Sequence, residues 1–176
     1  MLRAEALAYS IADPERKAWA LTNLANTLAK RGHLDRAEHI ARSITNPIHQ
    51  AWVLTTLANT LAERGHLDRA EHIAQQAEQA DHTLTNPSDQ AWVLSDLAST
   101  LAKCGQLDRA EHITRTITDP GAIPEAVAAV ITHLDRARAR RLLAWAMTKT
   151  ELRRLFPAIG DFDPTLLLRI ADEFER

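Results

Sequence analysis

The sequence contains little of several residue types, and each shortage excludes a class of protein. Its single cysteine, Cys104, cannot form an internal disulfide, which excludes a disulfide-stabilised secreted domain and leads us to expect a cytoplasmic protein. No apolar run approaches the roughly 20 residues that cross a bilayer, and the first residues lack a signal-peptide core, so no membrane contact is expected. The 21 basic and 23 acidic residues nearly cancel, which argues against a general affinity for nucleic acid.

Glycine and tyrosine are also scarce, with five and one among the 176 residues, whereas alanine and leucine are abundant. This composition predicts helix throughout. A segment of 23 residues occurs three times, at 18–40, 51–73 and 91–113, and 16 of its positions are identical in all three copies. Trp19, Trp52 and Trp92 mark spacings of 33 and 40 residues, and a period near 33 accommodates one helix pair.

Each copy has the residues that begin and end two helices joined by a tight turn. At the start of the first helix, Asp or Asn suits the N-cap and the Pro after it suits the first helical position. At its end, Gly suits the left-handed conformation that often follows a helix. The second helix is expected to begin with Asp, in a capping box that Glu completes three residues later. The first-helix residues are Asp13-Pro14, Asn46-Pro47, Asn86-Pro87, Gly32, Gly65 and Gly105, and the expected capping boxes are Asp35–Glu38, Asp68–Glu71 and Asp108–Glu111.

The order of apolar and small residues in each copy is typical of one repeat family. In the first copy it runs through Leu21, Leu24-Ala25, Leu28, Gly32, Ala37 and Pro47. Over about residues 1–120 this order resembles the tetratricopeptide repeat family, although the unit of 33 residues is shorter than that family's usual length of about 34. The resemblance implies an all-α fold, a right-handed α-solenoid of antiparallel helix pairs, and a protein-binding role. The helical pattern of the last residues predicts a helical C-terminal cap on this solenoid.

The repeats divide the chain into six expected segments. The first is the second helix of an incomplete repeat, and the last is a cap that shields the final repeat from water. The segments are residues 1–14, repeat 1 at 15–46, repeat 2 with a seven-residue insertion at 47–86, repeat 3 at 87–119, a degenerate repeat 4 at 120–148, and the cap at 149–176.

Three stretches depart from the repeat. The seven residues inserted near 74–84 make almost two helical turns and predict a longer second helix, as a contact ridge or a tolerated loop. Residues 134–156 hold seven basic and two acidic residues, an excess that we expect acids of residues 157–176 to neutralise. In the cap we expect a short helix near 149–156, a break at Pro157 and Gly160, and a last helix that begins at Asp163 and buries Leu166, Leu167, Ile170 and Phe174.

No catalytic, cofactor or metal site is expected. The sequence has no phosphate-binding glycine loop, nucleophile elbow or zinc-protease helix. His39, His72 and His112 recur at one position, but neighbouring helices lie on the order of 10 Å apart, whereas Zn–N bonds measure about 2.0–2.1 Å. Cys104, at an exposed helix end, is expected to be an unreactive thiol.

The face of each first helix opposite its apolar stripe is the candidate binding surface. In the resembled family these positions line a concave groove that holds peptides. Asn amides can pair with a peptide backbone, and Trp offers a large apolar area with one donor. The same tryptophans could instead only pack over the seams between repeats. The candidate residues are Trp19, Asn23, Asn26, Trp52, Thr56, Asn59, Trp92, Asp96 and Ser99.

Three functions remain open at this point. The first is a non-enzymatic scaffold that binds a protein or peptide. The second is single-stranded RNA binding, because GHLDRAEHI is also similar to pentatricopeptide repeats, although the net charge of −2 makes nucleic acid the less expected partner. The third is a structural or assembly module, either a natural fragment or a consensus-like design.

The N-terminal helix has lost its intra-repeat partner, so we expect that the chain either belongs to a longer array or self-associates through this end. Leu7, Ala8 and Ile11 should pack on the following helix, while Leu2 and Tyr9 stay open to water.

Overall fold

The computed structural model describes residues 2–81, 83–165 and 167, and these residues form ten α-helices, one short 3₁₀ helix and no strand. None of the described helices is long and apolar enough to cross a membrane. The helices are α1 (Leu2–Tyr9), α2 (Pro14–Lys30), α3 (Leu34–Ser43), α4 (Pro47–Glu63), α5 (Leu67–Asp81), α6 (Pro87–Lys103), α7 (Leu107–Thr116), α8 (Ile123–Ile131), α9 (Arg136–Met147), the 3₁₀ helix Leu152–Leu155 and α10 (Phe156–Phe162).

The helices pack as two rows, which confirms the expected all-α repeat solenoid. In the row of first helices, α2 contacts α4, α4 contacts α6 and α6 contacts α8. The second helices α3, α5, α7 and α9 each pack on their own first helix, and α3, α5 and α7 also contact the first helix that follows. Helix α1 packs on α2 in the same way, and α10 packs on α8.

The predicted ends of the first helices are confirmed. The side chains of Asp13, Asn46 and Asn86 each accept a hydrogen bond from a backbone N–H in the first turn of the helix that follows. At the other end, the three turn glycines have φ angles of +85°, +79° and +77°, a region that a side chain would strain. Each glycine is thus required by the reversal that brings the second helix back onto the first.

The predicted capping boxes of the second helices are wrong. Helices α3, α5 and α7 begin at a leucine, one residue before the aspartate. His33 and Gln106 occupy the cap positions of α3 and α7 without a side-chain hydrogen bond, and the backbone turn around the glycine places them there. Asp35 therefore lies inside the first turn and Glu38 lies beyond it, where both side chains can reach a neighbouring repeat.

The fourth helix pair is the one in which the aspartate does cap. Helix α8 has 9 residues where α2, α4 and α6 have 17, and the turn after it contains no glycine. Asp135 accepts hydrogen bonds from the backbone N–H groups of Ala137 and Arg138, both at 2.9 Å. These bonds lower the pKa of Asp135, and the bond from the backbone N–H of Arg138 has the larger effect.

The apolar stripe of the first helices forms the core, with one correction at the N-terminal end. Leu21, Ala25 and Leu28 are almost fully buried, and Leu24 is half-buried. Ala8 in α1 is buried and Ile11, just after α1, is half-buried. Leu7 in α1 is 66% exposed, so the predicted burial of Leu7 is wrong. Ile40, the counterpart of Leu7 in α3, is enclosed because α3 packs between the first helices α2 and α4. Among the described helices, α1 packs on one first helix, α2.

The seven-residue insertion lengthens α5 and the loop after it. Helix α5 has 15 residues, against 10 in α3 and α7. Ala77 and Ala80 on the added turns are buried, so the buried face stays in phase. Ala80 and Leu84 form a small separate cluster with Ala51 and Val93, at the beginnings of α4 and α6.

In the C-terminal region, the predicted break at Pro157 and Gly160 is wrong. Pro157 occupies the first turn of α10, where its missing N–H costs no hydrogen bond, and Gly160 lies within that helix. Asp163 accepts hydrogen bonds from the backbone N–H and hydroxyl of Thr165. Leu167 packs against the core. The other members of the predicted last stripe, Leu166, Ile170 and Phe174, lie outside the described residues.

Candidate functional site

Three tryptophans stand at the same position of α2, α4 and α6, and all three are substantially exposed. The exposed fraction is 64% for Trp19, 42% for Trp52 and 44% for Trp92. The next two positions along each helix face, one and two turns further on, hold Asn23 and Asn26 in α2, with Asn23 exposed and Asn26 half-buried. We call the nine residues of this surface the first-helix face: Trp19, Asn23, Asn26, Trp52, Thr56, Asn59, Trp92, Asp96 and Ser99.

The second and third tryptophans contact each other across the seam between α4 and α6. Their ring centroids lie 5.4 Å apart with an interplanar angle of 78°, an edge-to-face arrangement. The His49 ring lies nearly parallel to that of Trp52, with centroids 6.5 Å apart. The tryptophans therefore do pack over one seam, yet about two fifths of each indole stays accessible.

The polar residues of the first-helix face differ in how far their hydrogen-bonding groups are already used. Asn23 donates to the carbonyl oxygen of Trp19 at 2.9 Å. Asn59 accepts from Lys103 Nζ at 2.7 Å and donates to Glu63 at 3.3 Å. Within the part of the chain that the structure describes, Asn26 makes no hydrogen bond. Its amide is thus the one most available to a ligand.

The third repeat makes this face more acidic. Asp96 is half-buried in α6 beside the equally half-buried Ser99. Desolvation raises the pKa of Asp96, the nearby Lys103 opposes that shift, and Glu125 adds to it. On α4, the Thr56 hydroxyl donates to the carbonyl oxygen of Trp52 at 3.0 Å, a bond within its own helix.

Two residues beside the tryptophans were missed in the sequence. His49 and Asp89 occupy the third position of α4 and α6, where α2 has Arg16. His49 is buried, with Nδ1 3.4 Å from the Thr22 hydroxyl and Nε2 3.4 Å from a carboxylate oxygen of Glu15. The available signal was that this position changes its charge from copy to copy while the tryptophan three residues later does not.

The second helices carry a regular set of ion pairs that was also missed. In each, an arginine of one second helix binds carboxylates of the preceding one, so that a carboxylate–arginine ladder links α1 to α9. Its pairs are Glu5–Arg36 at 2.7 Å, Asp35–Arg69 and Glu38–Arg69 at 2.6 Å, Glu71–Arg109 at 3.4 Å, Glu78–Arg109 at 2.8 Å, Asp108–Arg138 at 2.5 Å, and Glu111–Arg138.

The ladder explains why the same charged residues recur in every repeat. Hydrogen bonds to Glu38 raise the pKa of Arg69 despite its desolvation, and Asp35 adds to the shift. Glu78 belongs to the added turns of α5, so the insertion contributes a contact to α7. The recurring Arg and Glu of the second helices thus have a structural role, and the uniform charges of that face do not indicate a ligand.

Within the described ranges, the histidines and the cysteine do not gather into a cluster that could hold a metal ion. His39, His72 and His112 are exposed, and no group of three or more potential metal ligands occurs among the residues described. Cys104 is half-buried, and not exposed as expected. Burial, with a smaller contribution from Glu71, raises its pKa and so reduces its reactive thiolate fraction.

Part of the basic excess of residues 134–156 is neutralised within the repeats. Arg138 ends the ladder, and Arg153 pairs with Glu151 at 2.5 Å. The Arg115 guanidinium lies over the Trp145 ring at 5.5 Å. Most of the acidic tail lies beyond the described residues, so the expected neutralisation by that tail stays a prediction.

Comparison with known proteins supports the repeat architecture. A family model described as Tetratricopeptide repeat matches residues 18–43, which are most of α2, the turn and α3. The chain is a tetratricopeptide-like helical repeat protein. This TPR-like chain is also similar to the crystal structure of Ton1535 from Thermococcus onnurineus NA1, with a TM-score of 0.55 and 20% identity. The similarity covers 96% of this chain and 51% of that one, so the TPR-like chain spans about half its length. No curated protein matches the sequence.

Proposed function

We propose that the protein is a non-enzymatic scaffold that binds a peptide or an extended protein segment on its first-helix face, the surface expected to be concave. The observation that carries this proposal is the row of three exposed tryptophans, 42–64% accessible, on the successive first helices α2, α4 and α6. Large aromatic side chains are enriched among residues that dominate binding energy. The matching family model supports a protein-interaction role in general terms.

The polar residues between the tryptophans support an extended ligand. Asn26 has an amide free of partners among the described residues, and Asn59 hydrogen-bonds only to two charged side chains, those of Lys103 and Glu63, among these residues. A side-chain amide can pair with both the N–H and the C=O of a peptide backbone. Such pairing gives a grip that does not depend on the ligand's side chains.

Single-stranded RNA is a less favoured ligand, because this face mixes both charge signs. Lys30 and Lys103 are offset by Glu63 and Asp96 on the same helix faces. Sites for single strands are usually continuous basic grooves. Binding of an oligonucleotide that weakens steeply with salt would nevertheless replace the peptide proposal.

Selection from a displayed peptide library on the full chain tests the proposal. We expect one sequence class to be enriched and its binding to be lost in the double variant Asn26→Ala plus Asn59→Ala. The matched control is His39→Ala plus His112→Ala, which changes two exposed polar residues on the second helices. Equal loss in both variants, or no enrichment at all, would contradict a site on the first-helix face.

Substitution of Trp52 separates binding from packing. The side chain is a little over half buried, so Trp52→Ala removes part of an area of roughly 150–250 Å². The buried part of that area corresponds to roughly 2–3.5 kcal/mol at about 25 cal/mol per Å². Because the unfolded chain already buries some of it, we expect a loss of about 2 kcal/mol in the free energy of unfolding, together with loss of ligand binding. Trp145→Ala, outside the face, should lower stability and leave binding intact. A loss of about 3–5 kcal/mol, as in full core truncations, would assign Trp52 to packing.

A second candidate function is assembly through the N-terminal end, in which a second copy covers α1. A groove of about 710 Å³ lies between α1 and α2, and Leu7, Ala8 and Leu24 are among its lining residues. The strong exposure of Leu7 favours this candidate, because burial of exposed apolar area drives association. In both candidate functions we propose that the protein is cytoplasmic and works without a cofactor.

A further inference from the structure

A pocket of about 320 Å³ lies where the beginnings of α4 and α6 meet. Its walls include the two indoles of Trp52 and Trp92, which stand nearly at right angles to each other. Ile48 and Val93 supply apolar surface, and Asp89 supplies a carboxylate. Two aromatic walls at an angle and one acidic group are thus combined in a space large enough for the end of a side chain.

The walls of this pocket rest on packed structure. Val93 is almost fully buried and Ile48 packs against the same small cluster, which also contains Ala80 and Leu84 from the inserted segment. The two indoles contact each other, and the His49 ring lies against that of Trp52. The pocket therefore does not have to be assembled by its ligand, which lowers the entropic cost of binding.

The carboxylate of Asp89 is not used elsewhere. The N-cap of α6 is Asn86, whose side chain accepts from the backbone N–H of Ser88 at 3.0 Å. Across the described part of the chain, Asp89 has neither an ion pair nor a hydrogen bond, and it is half-buried. A carboxylate held beside two aromatic faces produces a local negative potential, because the face of an indole is itself negative.

We propose that this pocket binds the ammonium group of a lysine side chain in the ligand peptide. The inference rests on the proposed function and specifies the chemistry of its ligand. The ammonium would contact the indole faces of Trp52 and Trp92, with Asp89 as its counter-ion. A cation over an aromatic face within about 6 Å is attracted to the ring quadrupole.

The other repeats are not equipped for the same ligand. The position of Asp89 is held by Arg16 in α2, close along the helix to Trp19, and a guanidinium there would repel an ammonium group. In α4 the position is held by His49, which already contacts Thr22 and Glu15. A single lysine site between the second and third repeats would therefore fix the register of the bound peptide.

The experiment titrates the ¹⁵N-labelled full chain with two pentapeptides and follows the indole N–H signals. The probes are acetyl-Gly-Ala-Lys-Ala-Gly-amide and the same peptide with norleucine, which has a similar apolar stem without the charge. We expect the lysine peptide to shift the Trp52 and Trp92 signals at millimolar concentration and the norleucine peptide to bind about tenfold more weakly. The Trp145 signal, which reports a distant ring, should not move.

Substitution of the carboxylate provides the second arm. Asp89→Asn keeps the shape of the side chain and should weaken the lysine peptide several-fold while leaving the norleucine peptide unchanged. Asp68→Asn, at an exposed position in the first turn of α5, makes the same charge change and should have no effect.

Each outcome decides the inference. Equal affinity for the two peptides, no shift of either indole, or no effect of Asp89→Asn would overturn the lysine site. The library selection described above is independent of these probes. Enrichment of neutral apolar peptides there would overturn the lysine site and keep the scaffold, whereas no enrichment would remove the scaffold itself.

Discussion

The carboxylate–arginine ladder allows a stability prediction in which one arginine serves two carboxylates of different exposure. Arg69 Nη2 lies 2.6 Å from Asp35 Oδ1 and 2.6 Å from Glu38 Oε2, and Nε donates to the same Glu38 oxygen at 3.1 Å. The Asp35 side chain is 90% exposed and that of Glu38 is 13% exposed. The shortest nitrogen–oxygen distance is therefore the same in both pairs, whereas solvent screens the Asp35 carboxylate much more than that of Glu38.

The expected coupling energies follow from that difference. At 4 Å and an effective dielectric of about 20, two unit charges attract by roughly 4 kcal/mol, and desolvation removes much of this in a partly buried pair. We expect a net coupling of about 1–2 kcal/mol between Arg69 and Glu38. Exposed pairs contribute about 0.2–1 kcal/mol, and for Asp35 we expect the low end.

Double-mutant cycles in urea denaturation measure both values. Arg69→Met retains much of the apolar stem, while Glu38→Gln and Asp35→Asn remove charge with little change in shape. The cycle cancels the loss of the additional Glu38–Arg42 pair. High salt should abolish the Asp35 coupling and leave most of the Glu38 coupling. Equal couplings, or a Glu38 coupling that salt removes completely, would refute the reasoning that burial makes the ladder stabilising.

Two further predictions concern titration and assembly. Desolvation raises the pKa of Asp96, so ionisation of Asp96 lowers stability as the pH rises from the ordinary aspartate pKa through the raised pKa. Backbone hydrogen bonds lower the pKa of Asp135, so ionised Asp135 stabilises the fold above the ordinary aspartate pKa. This stabilisation is lost as the pH falls through the lowered pKa. At neutral pH, Asp96→Asn should therefore raise the melting temperature and Asp135→Asn should lower it, with both differences fading in strong acid; the same sign for the two variants would contradict this account. Sedimentation over a wide concentration range tests the N-terminal end: the chain should self-associate and Leu7→Asp should abolish this, whereas a strict monomer before substitution would exclude assembly by α1.

The helices and the first-helix face could be predicted because their signals are local. A cap such as Asn46 and a left-handed glycine such as Gly65 act within a few residues of their own position, and the structure has both. The apolar stripe follows from helical geometry alone. The prediction of capping boxes was wrong because one spacing fits two arrangements. The three-residue spacing from Asp35 to Glu38 suits a capping box, and it also suits two side chains that both bind Arg69 of the next repeat.

The pairings between repeats could not be predicted, because a repeated sequence does not identify which copy a side chain contacts. Arg36 binds Glu5, 31 residues earlier, yet a carboxylate of its own repeat or of the following one would fit the same pattern. The lysine pocket was hidden for the opposite reason. Its distinguishing residue, Asp89, occurs in one copy only, and its partner Trp52 lies on another helix.

The last ladder contact shows how a small change in local structure changes a recurring pattern. Arg36, Arg69 and Arg109 occupy one repeat position, and the residue at that position in the fourth pair, Arg136, is exposed. Because Asp135 caps α9, that helix begins two residues later in the repeat than α3 and α7 do. Arg138, at the position where the other second helices carry glutamate, now binds the acids of α7. With arginine in place of that glutamate, α9 lacks the carboxylate that would continue the pattern, so the ladder ends at α9.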